Sequence, residues 1–310
     1  MARIVTLTMN PALDIATSIE RIAPDRKLRC DVPRYDPGGG GINVARVAHS
    51  LGVDALAIFP AGGAAGQQIG HLLRQEGVDY SAIPIGGFTR ESLNVVERES
   101  GQQYRFILPG PEIDSRDQQH CLDALAAAAV DADYIVASGS LPRGVPEDFY
   151  ARVGEMTKRL GRRLVLDTSG PALQHAGADV HLLKPSLAEL EGLLGHPIQG
   201  ERDEEQAARG LVEQGRCEIA VVSLGARGAL LASKDGVQRL PALQVGSKTS
   251  VGAGDSMLAG ILVGLIRGLS LAEAARFGIA AGAAALLAPG TQLCHPEDVE
   301  RLYRASTGAP

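Results

Sequence analysis

The chain lacks tryptophan altogether, and phenylalanine and tyrosine together supply only 4% of its 310 residues. Such a sequence offers few aromatic platforms on which the bases of a single-stranded nucleic acid could stack. It also lacks an excess of positive charge, because 36 acidic residues outnumber 30 lysines and arginines and give a formal net charge of −6. We therefore expect no nucleic-acid partner, and any cation that binds a phosphate group must act locally, against the overall field.

Cysteine and long apolar runs are scarce too. Cys30, Cys121, Cys217 and Cys294 are far apart, and none forms a C-x-x-C pair or meets histidine at the spacing of zinc ligands. We expect four reduced structural thiols. The N-terminal residues enter a predicted strand without the apolar region of a signal peptide, and no run of about 18 apolar residues occurs. These features predict a cytoplasmic protein with no membrane partner.

Glycine, by contrast, is abundant, and the segment 249–256 (TSVGAGDS) places a carboxylate after two glycines at the start of a predicted helix. The apolar stripe that predicts this helix is Leu258, Ile261, Leu262, Leu265, Ile266 and Leu269. Asp255 then lies in the first turn. Because Gly252 and Gly254 lack Cβ, the backbone can approach a ligand closely, and free N–H groups and the helix dipole attract negative charge. This pattern indicates a phosphate site beside a base, whereas the alternative is an ordinary Asp cap after a tight turn.

A second glycine-rich segment, residues 37–46 (PGGGGINVAR), opens another predicted helix, which ends at Gly52. Four glycines cost about 0.5–1 kcal/mol each relative to alanine, so a plain connector would rarely use them. A ligand held against the backbone explains them better. Asn43, on the first turn, can offer both a donor and an acceptor to a sugar hydroxyl.

Neither segment matches a standard nucleotide-binding loop. The dinucleotide fingerprint needs a third glycine three places after the second, where this chain has Met257, and in Gly246-Ser247-Lys248-Thr249 a serine separates the Gly-Lys pair of a Walker A loop. The His-Arg-Asp and Asp-Phe-Gly motifs of protein kinases are also missing from the sequence.

Apolar strand-like runs alternate with helical patterns along the chain. The predicted strands are residues 4–8, 55–59, 134–138, 163–167, 180–184 and 219–223. This alternation predicts an α/β fold with a mostly parallel sheet covered on both faces, and a ligand crevice at the carboxyl ends of the strands. Polar loops follow four of these strands: Ser138-Gly139-Ser140, Asp167-Thr168-Ser169, Lys184-Pro185-Ser186 and Ser223-Leu224-Gly225.

Two segments break the alternation. Residues 15–35 are polar and extended, and residues 91–108 alternate as a hairpin with its turn at 99–102. Together they predict a small sheet without a helix, and the simplest alternative is a hairpin that packs on its own domain.

The GGGGINVAR and TSVGAGDS segments, the Ser138-Gly139-Ser140-Leu141-Pro142 turn and Val222-Ser223-Leu224-Gly225 together resemble the ribokinase-like, phosphofructokinase-B family of sugar kinases. The resemblance runs in the family's order from Thr6 to about Cys294. Within the family, the unbroken glycine tetrad and residues 27–30 and 103–106 resemble the 6-phosphofructokinases most. Near relatives are the 1-phosphofructokinases and tagatose-6-phosphate kinases.

The resemblance implies one ribokinase-like chain over residues 1–310, with a three-layer α/β/α core and a small β-sheet lid. The lid is formed by about residues 14–35 and 88–108, and is expected to pair with a second lid in a homodimer. The resemblance implies a phosphosugar and ATP as substrates of the chain, Mg²⁺ as the metal ion and K⁺ as a further cation.

The resemblance also implies roles for individual residues. Asp255 is the base, and the amides of Gly252, Ala253 and Gly254 hold charge on the transferred phosphoryl group. The sugar side comprises Asp14, Gly38, Gly39, Asn43 and Ser138, with Arg90 on the distal phosphate and Arg105 and Lys27 helping from lid strands. Arginine suits a phosphate dianion because its guanidinium binds two oxygens at once.

On the nucleotide side, the segment 184–189 (KPSLAE) occupies the place of the family's Lys-Pro-Asn-x-x-Glu motif, with serine in place of asparagine. The residues implied for ATP are Lys184, Ser186, Ser223, Gly225, Gly228, Ser247 and Gly282. Gly282 lies on a small-residue helix face with Ala281 and Ala285, for which the alternative role is close helix packing. Glu189 is the implied Mg²⁺ ligand. The carbonyls implied for K⁺ are those near Thr249, Val251, Ala288, Gly290 and Gln292.

The expected reaction is transfer of a phosphoryl group from MgATP to the C1 hydroxyl of fructose 6-phosphate. The alternatives are kinases of fructose 1-phosphate or tagatose 6-phosphate, and more remotely a sugar-phosphate sensor without catalysis, which the serine at position 186 alone would favour.

Overall fold

A computed structural model describes residues 3–246 and 251–307. In chain order its strands are β1 (Ile4–Leu7), β2 (Ala12–Ile19), β3 (Arg34–Gly38), β4 (Ala55–Ala61), β5 (Asp79–Pro84), β6 (Arg90–Glu97), β7 (Gln103–Ile107), β8 (Tyr134–Ser138), β9 (Arg163–Asp167), β10 (Leu182–Leu183), β11 (Ile219–Ser223), β12 (Ala229–Ser233) and β13 (Gly236–Leu240). The helices are α1 (Gly40–Ser50), α2 (Gly63–Gln75), α3 (Ser115–Ala128), α4 (Phe149–Arg159), α5 (Pro171–Gln174), α6 (Leu187–Leu194), α7 (Glu201–Glu213), α8 (Ala253–Ile266), α9 (Leu271–Leu287) and α10 (Pro296–Thr307), with 3₁₀ turns at Ala129–Asp131 and Gly225–Arg227.

Parallel pairing dominates the larger of the two sheets. Its nine strands lie in the order β13-β12-β11-β10-β9-β8-β1-β4-β5, and only β12 and β13 run antiparallel to their neighbours. The predicted α/β class is confirmed. Each predicted strand is present, although the fifth is shortened to Leu182–Leu183. The strand order reverses at β1, which lies between β8 and β4, so the ligand crevice is expected beside the carboxyl end of β1.

Two apolar cores cover the two faces of this sheet. Along β8, Tyr134 and Val136 join one core, whereas Ile135 and Ala137 join the other. Successive strand residues point to opposite faces, so a strand buried on both faces reads as a continuous apolar run. The first core is completed by α1, α8 and α9, and the second by α3, α4 and α7.

The helix predicted to carry Asp255 begins at Ala253, directly after Gly252, and Asp255 lies in its first turn. Gly252 has a φ of 72°, in the left-handed region that favours glycine, so the close turn before the helix depends on that residue. The helix ends at Ile266, three residues short of Leu269, because a turn at residues 267–268 follows.

The predicted smaller sheet is also present, with strand order β3-β2-β6-β7. One expectation about it is wrong. Lys27 was expected on a strand, but residues 20–33 form an irregular loop between β2 and β3, in which Lys27 is exposed. Several large apolar side chains of this region are exposed, among them Val32 (94%), Phe88 (80%) and Ile107 (61%).

All four cysteines are free, and three of them are buried, whereas Cys30 is exposed in the loop 20–33. Among the helices of residues 3–246 and 251–307, none combines the length and apolar character needed to cross a bilayer.

Candidate active site

A cleft of about 410 Å³ lies at the carboxyl edge of the large sheet, beside β1 and under the small sheet. It brings together many residues predicted from distant parts of the sequence. They are Asp14, Gly39, Asn43, Arg90, Arg105, Ser138, Lys184, Ser186, Glu189, Ser223, Val251, Gly252, Gly254 and Asp255. Their shared location follows from the parallel sheet, because the loops after its strands all emerge at one edge.

The glycine tetrad fits closely against polar side chains of this cleft. A Cβ on Gly38 would lie 2.3 Å from Asp14 Oδ2, and one on Gly40 would lie 2.2 Å from Ser138 Oγ. Gly39 has a φ of 118°, and the Ile42 N–H donates to Thr8 Oγ1 at 2.9 Å, which ties the helix start to the end of β1. Gly38 is buried and does not line the described part of the cleft, although it lies directly against Asp14, which does.

Asp255 faces the cleft and is held by the other glycine-rich helix. The Asn43 side-chain amide donates to Asp255 Oδ2 at 2.8 Å, across 212 residues of sequence. Burial raises the pKa of Asp255, while the hydrogen bond from Asn43 and the cations of Lys184 and Arg105 lower it. An aspartate with an occupied Oδ2 and a raised pKa is suited to accept a proton near neutral pH.

A buried ion pair next to Asp255 joins the predicted Lys184 to Asp167, which was expected only as part of a polar loop after a strand. Lys184 Nζ lies 3.1 Å from Asp167 Oδ2. Burial raises the pKa of Asp167 to about 6, because it outweighs the attraction of Lys184. Burial also acts to lower the pKa of Lys184, but the carboxylates of Asp167, Asp255 and Glu189 raise it above its ordinary value, so Lys184 stays charged. The position of Asp167 at the end of a predicted strand was the available signal.

The far end of the cleft combines an acid with two arginines. Burial raises the pKa of Asp14 to about 6, and Arg90 and Arg105 oppose that rise. Arg90 donates to the carbonyl of Asn10 at 3.1 Å and to that of Leu108 at 3.5 Å, which fixes its guanidinium at the start of β6. Its buried Nε has no partner within the described chain, so it retains donor capacity for an anion. Lys27 does not line the described part of this cleft.

Ser186 and Glu189 cap helix α6 reciprocally. The Ser186 N–H donates to Glu189 Oε2 at 2.7 Å, and the Glu189 N–H donates to Ser186 Oγ at 3.3 Å. This capping box satisfies two helix-terminal donors and fixes the carboxylate of Glu189 at the cleft. Serine therefore performs the capping that an asparagine at position 186 could also perform.

A second cavity of about 460 Å³, mostly apolar, shares Ser223 and Gly254 with the lining of the cleft. The predicted nucleotide residues that line it are Ser223, Gly225, Gly228 and Gly282, and Ala253 lies at its mouth with Gly254. The expected alanine face needs a correction. Ala281 is fully buried, and its Cβ would lie 2.8 Å from a Cβ on Gly260 of α8. Helix packing uses Ala281 and Ala285, while Ile279, Ala283 and Leu286 face the cavity instead.

The residues predicted for a monovalent cation are only partly described. Ser247, expected at ATP, and Thr249 lie outside the described residues. Val251 lines the cleft, Ala288 is buried, and Gly290 adopts a φ of 63° in the loop after α9. Gln292 lines a different cavity, together with Arg34 and Arg46. Within residues 3–246 and 251–307, no three histidine, cysteine, aspartate or glutamate residues cluster closely enough to hold a metal ion.

The fold, the cleft with its buried aspartate at a helix start, and the matching family model together define a phosphotransferase that acts on a sugar hydroxyl. The chain belongs to the pfkB family of carbohydrate kinases, whose sequence model matches residues 7–298.

Individual relatives agree with this family. The chain is 50% identical over 301 residues to an ATP-dependent 6-phosphofructokinase isozyme 2 of Mycobacterium tuberculosis, covering 97% of this chain and 89% of that protein. It is 41% identical over 306 residues to the isozyme of the same name from Escherichia coli K12, covering 98% of each. The solved structure of Escherichia coli phosphofructokinase-2 in complex with potassium superimposes with a TM-score of 0.94 at 38% identity, covering 99% of this chain and 100% of that one. Relatives named 1-phosphofructokinase and tagatose-6-phosphate kinase match at 35% identity over 271 residues and 31% over 266.

Proposed function

We propose that the protein is an ATP-dependent 6-phosphofructokinase, which converts fructose 6-phosphate and ATP to fructose 1,6-bisphosphate and ADP. The observation that carries the proposal is that the two cavities share Ser223 and Gly254 in their linings, with Asp255 next to Gly254 in the cleft. A hydroxyl in the polar cleft and a phosphate donor in the apolar cavity would meet at the N-terminus of α8, where a base and free amides are available.

Asp255 accepts the proton of the attacking hydroxyl in this mechanism. Its Oδ2 already accepts a hydrogen bond from Asn43, which leaves Oδ1 for the substrate. The amides of Gly252, Ala253 and Gly254 at the start of α8 stabilise charge on the phosphoryl group during transfer.

Magnesium fits the donors that face the cleft. Mg²⁺ prefers hard oxygen ligands and usually binds through one or two carboxylates together with substrate phosphates. The carboxylates of Glu189 and Asp167 line the cleft and would hold it. When bound with ATP, it neutralises charge on the phosphate oxygens.

The sugar would lie between the glycine loop and the two arginines. Asp14, Ser138 and Asn43 offer hydrogen bonds to its hydroxyls, and the guanidinium groups of Arg90 and Arg105 attract the 6-phosphate. Identity of 50% to a 6-phosphofructokinase isozyme 2, against 35% to a 1-phosphofructokinase, favours fructose 6-phosphate over fructose 1-phosphate.

The small sheet is proposed as the lid of this cleft and as the contact of a homodimer. Its exposed apolar side chains, such as Val32, Phe88 and Ile107, would be covered by a second lid. Lys27 would then take part in sugar binding only if the lid loop of one protomer reaches the cleft of the other. The carbonyls of Thr249, Val251 and the 288–292 loop are proposed to bind K⁺, in keeping with the potassium complex of the Escherichia coli relative.

A coupled assay of ADP release tests the function. MgATP is supplied with fructose 6-phosphate, fructose 1-phosphate, tagatose 6-phosphate or free fructose. We expect the highest kcat/KM with fructose 6-phosphate. A higher value with another sugar would move the assignment to that sugar. Saturable binding without turnover would indicate a sensor, although the Ser186 capping box removes the feature that favoured one.

A further inference from the structure

Arg46 is a buried arginine one turn along α1 from Asn43. It is 7% exposed and does not line the described part of the catalytic cleft. Buried arginines are rare unless their donors are satisfied, so the partners of this one indicate what it does.

The guanidinium of Arg46 connects several elements. Its Nε and one terminal nitrogen donate to the two carboxylate oxygens of Glu76 at 2.6 and 2.7 Å, directly after α2. The other terminal nitrogen donates to the carbonyl of Pro37 at 2.9 Å and to Asn43 Oδ1 at 3.3 Å. The carboxylate of Asp36 lies 3.7 Å away.

Donation from Arg46 decides which way the Asn43 amide points. A guanidinium carries five donors and no acceptor, so the oxygen of the amide must face it. The amide nitrogen is then turned toward Asp255 Oδ2, where it donates at 2.8 Å. The reverse orientation would set N–H against N–H at Arg46 and oxygen against oxygen at Asp255.

We propose that Arg46 is a positioning residue for phosphoryl transfer, because it fixes the Asn43 amide and thereby keeps a hydrogen-bond donor on the Oδ2 atom of Asp255. The proposal rests on the proposed function, since it assigns Asp255 as the base. Arg46 is held in turn by Asp36, which is 2% exposed and accepts a hydrogen bond from Thr291 at 2.5 Å.

Loss of this donor changes the titration of the base. Burial raises the pKa of Asp255, and the hydrogen bond from Asn43 is the largest influence that lowers it. The other charged groups that act on Asp255 are Lys184 and Arg105, which lower its pKa, while Asp255 itself raises the pKa of the neighbouring Asp167. Because an Arg46 substitution leaves these three groups in place, its effect on the base is transmitted through Asn43.

The test is the pH dependence of kcat between pH 5.5 and 8.5 for the Arg46→Gln variant. We expect the acidic limb to move upward by about one pH unit, the size of effect that a lost hydrogen bond to a carboxylate produces. The limb is measured on kcat at saturating sugar, because Arg46 also acts to lower the pKa of Asp14, a proposed sugar ligand, so that KM is expected to change as well. Each variant is measured with the sugar that wild type turns over fastest, so that titration of the substrate phosphate is the same throughout.

The matched control is Arg34→Gln. Arg34 binds the same carboxylate of Asp36, at 2.9 Å, but it is 52% exposed and is not hydrogen-bonded to Asn43. The acidic limb of the kcat profile of Arg34→Gln should therefore stay at the wild-type pH. If Arg46→Gln does not fold, Arg46→Lys is tested instead. Lysine keeps a positive charge near Asp36 but has one ammonium group in place of the guanidinium, so a smaller upward shift of the acidic limb is expected.

The outcomes separate the two proposals. A wild type without turnover on any sugar would overturn the proposed function, and the positioning role with it. Turnover in wild type with an unmoved acidic limb in the folded Arg46 variants would overturn the positioning role alone. A uniform loss of kcat at every pH would assign Arg46 to stability and would also contradict it.

Discussion

Replacement of Asp14 by asparagine should make the protein more stable and a poorer enzyme. Asp14 lies on β2, mostly buried, with the guanidinium groups of Arg90 and Arg105 nearby. Burial raises its pKa from 3.8 to about 6, and the two arginines only partly oppose this rise. The ionised carboxylate of Asp14 therefore lowers the free energy of unfolding.

The sign and size of that cost follow from linkage. Below pH 3.8 the carboxyl is protonated in both the folded and the unfolded state, so it has no effect on the free energy of unfolding. Between pH 3.8 and about pH 6 the free energy of unfolding falls as pH rises, and above pH 6 it has fallen by the full amount. A rise of about two pKa units corresponds to at most about 3 kcal/mol. With about 2.1 cal/mol/K of unfolding entropy per residue, this is roughly 4–5 °C in Tm for a chain of this length.

Asparagine has the same shape without the charge, so the Asp14→Asn variant should gain up to that amount at pH 7.5 and nothing near pH 4. The same change removes a charged acceptor for a sugar hydroxyl. A hydrogen bond to a charged group contributes about 1.5–3 kcal/mol, so the KM for the phosphosugar should rise by about tenfold or more.

Thermal unfolding by circular dichroism from pH 4 to 8, and KM from the coupled ADP assay, measure the two effects. The matched control is Asp235→Asn in the exposed turn between β12 and β13, which should leave both Tm and KM unchanged. A lower Tm for Asp14→Asn at pH 7.5, or a gain that does not depend on pH, would refute the reasoning.

Three further substitutions probe the rest of the cleft. Asp255→Asn should lower kcat by about 10²–10⁴-fold, the range for a lost general base, with little change in sugar KM; near-normal turnover would remove Asp255 from that role. Arg90→Ala should raise the KM for the phosphosugar at least about tenfold through loss of a charged contact, whereas Arg202→Ala on the exposed face of α7 should not; equal KM values in both variants would exclude Arg90. Glu189→Gln should raise the Mg²⁺ concentration needed for half-maximal rate several-fold while its amide oxygen preserves the cap of α6; an unchanged Mg²⁺ titration would contradict the assignment.

The sequence predicted the sheet and Asp255 because both depend on local patterns, namely apolar strands and a helical stripe. Asp167 was predicted only as part of a polar loop after a strand, because its position in the sequence does not reveal the side chain with which it pairs. Its partner becomes evident only from pairing: Leu166 lies opposite Leu183, so the next residues, Asp167 and Lys184, are neighbours. Lys27 was misplaced for the opposite reason, because a polar segment without a helical pattern fits a loop as well as a strand.

The charges of the cleft bear on how ATP must bind. Among the described lining residues, the carboxylates of Asp14, Asp167, Glu189 and Asp255 face the cations of Arg90, Arg105 and Lys184. Lys184 is already paired with Asp167, and both arginines act on Asp14. A phosphosugar and a nucleotide triphosphate bring several further negative charges into this low-dielectric space, where like charges repel more strongly than in water. The protein's own cations do not offset them, so nucleotide binding should be productive only with a divalent cation, and activity should fall to background when it is chelated.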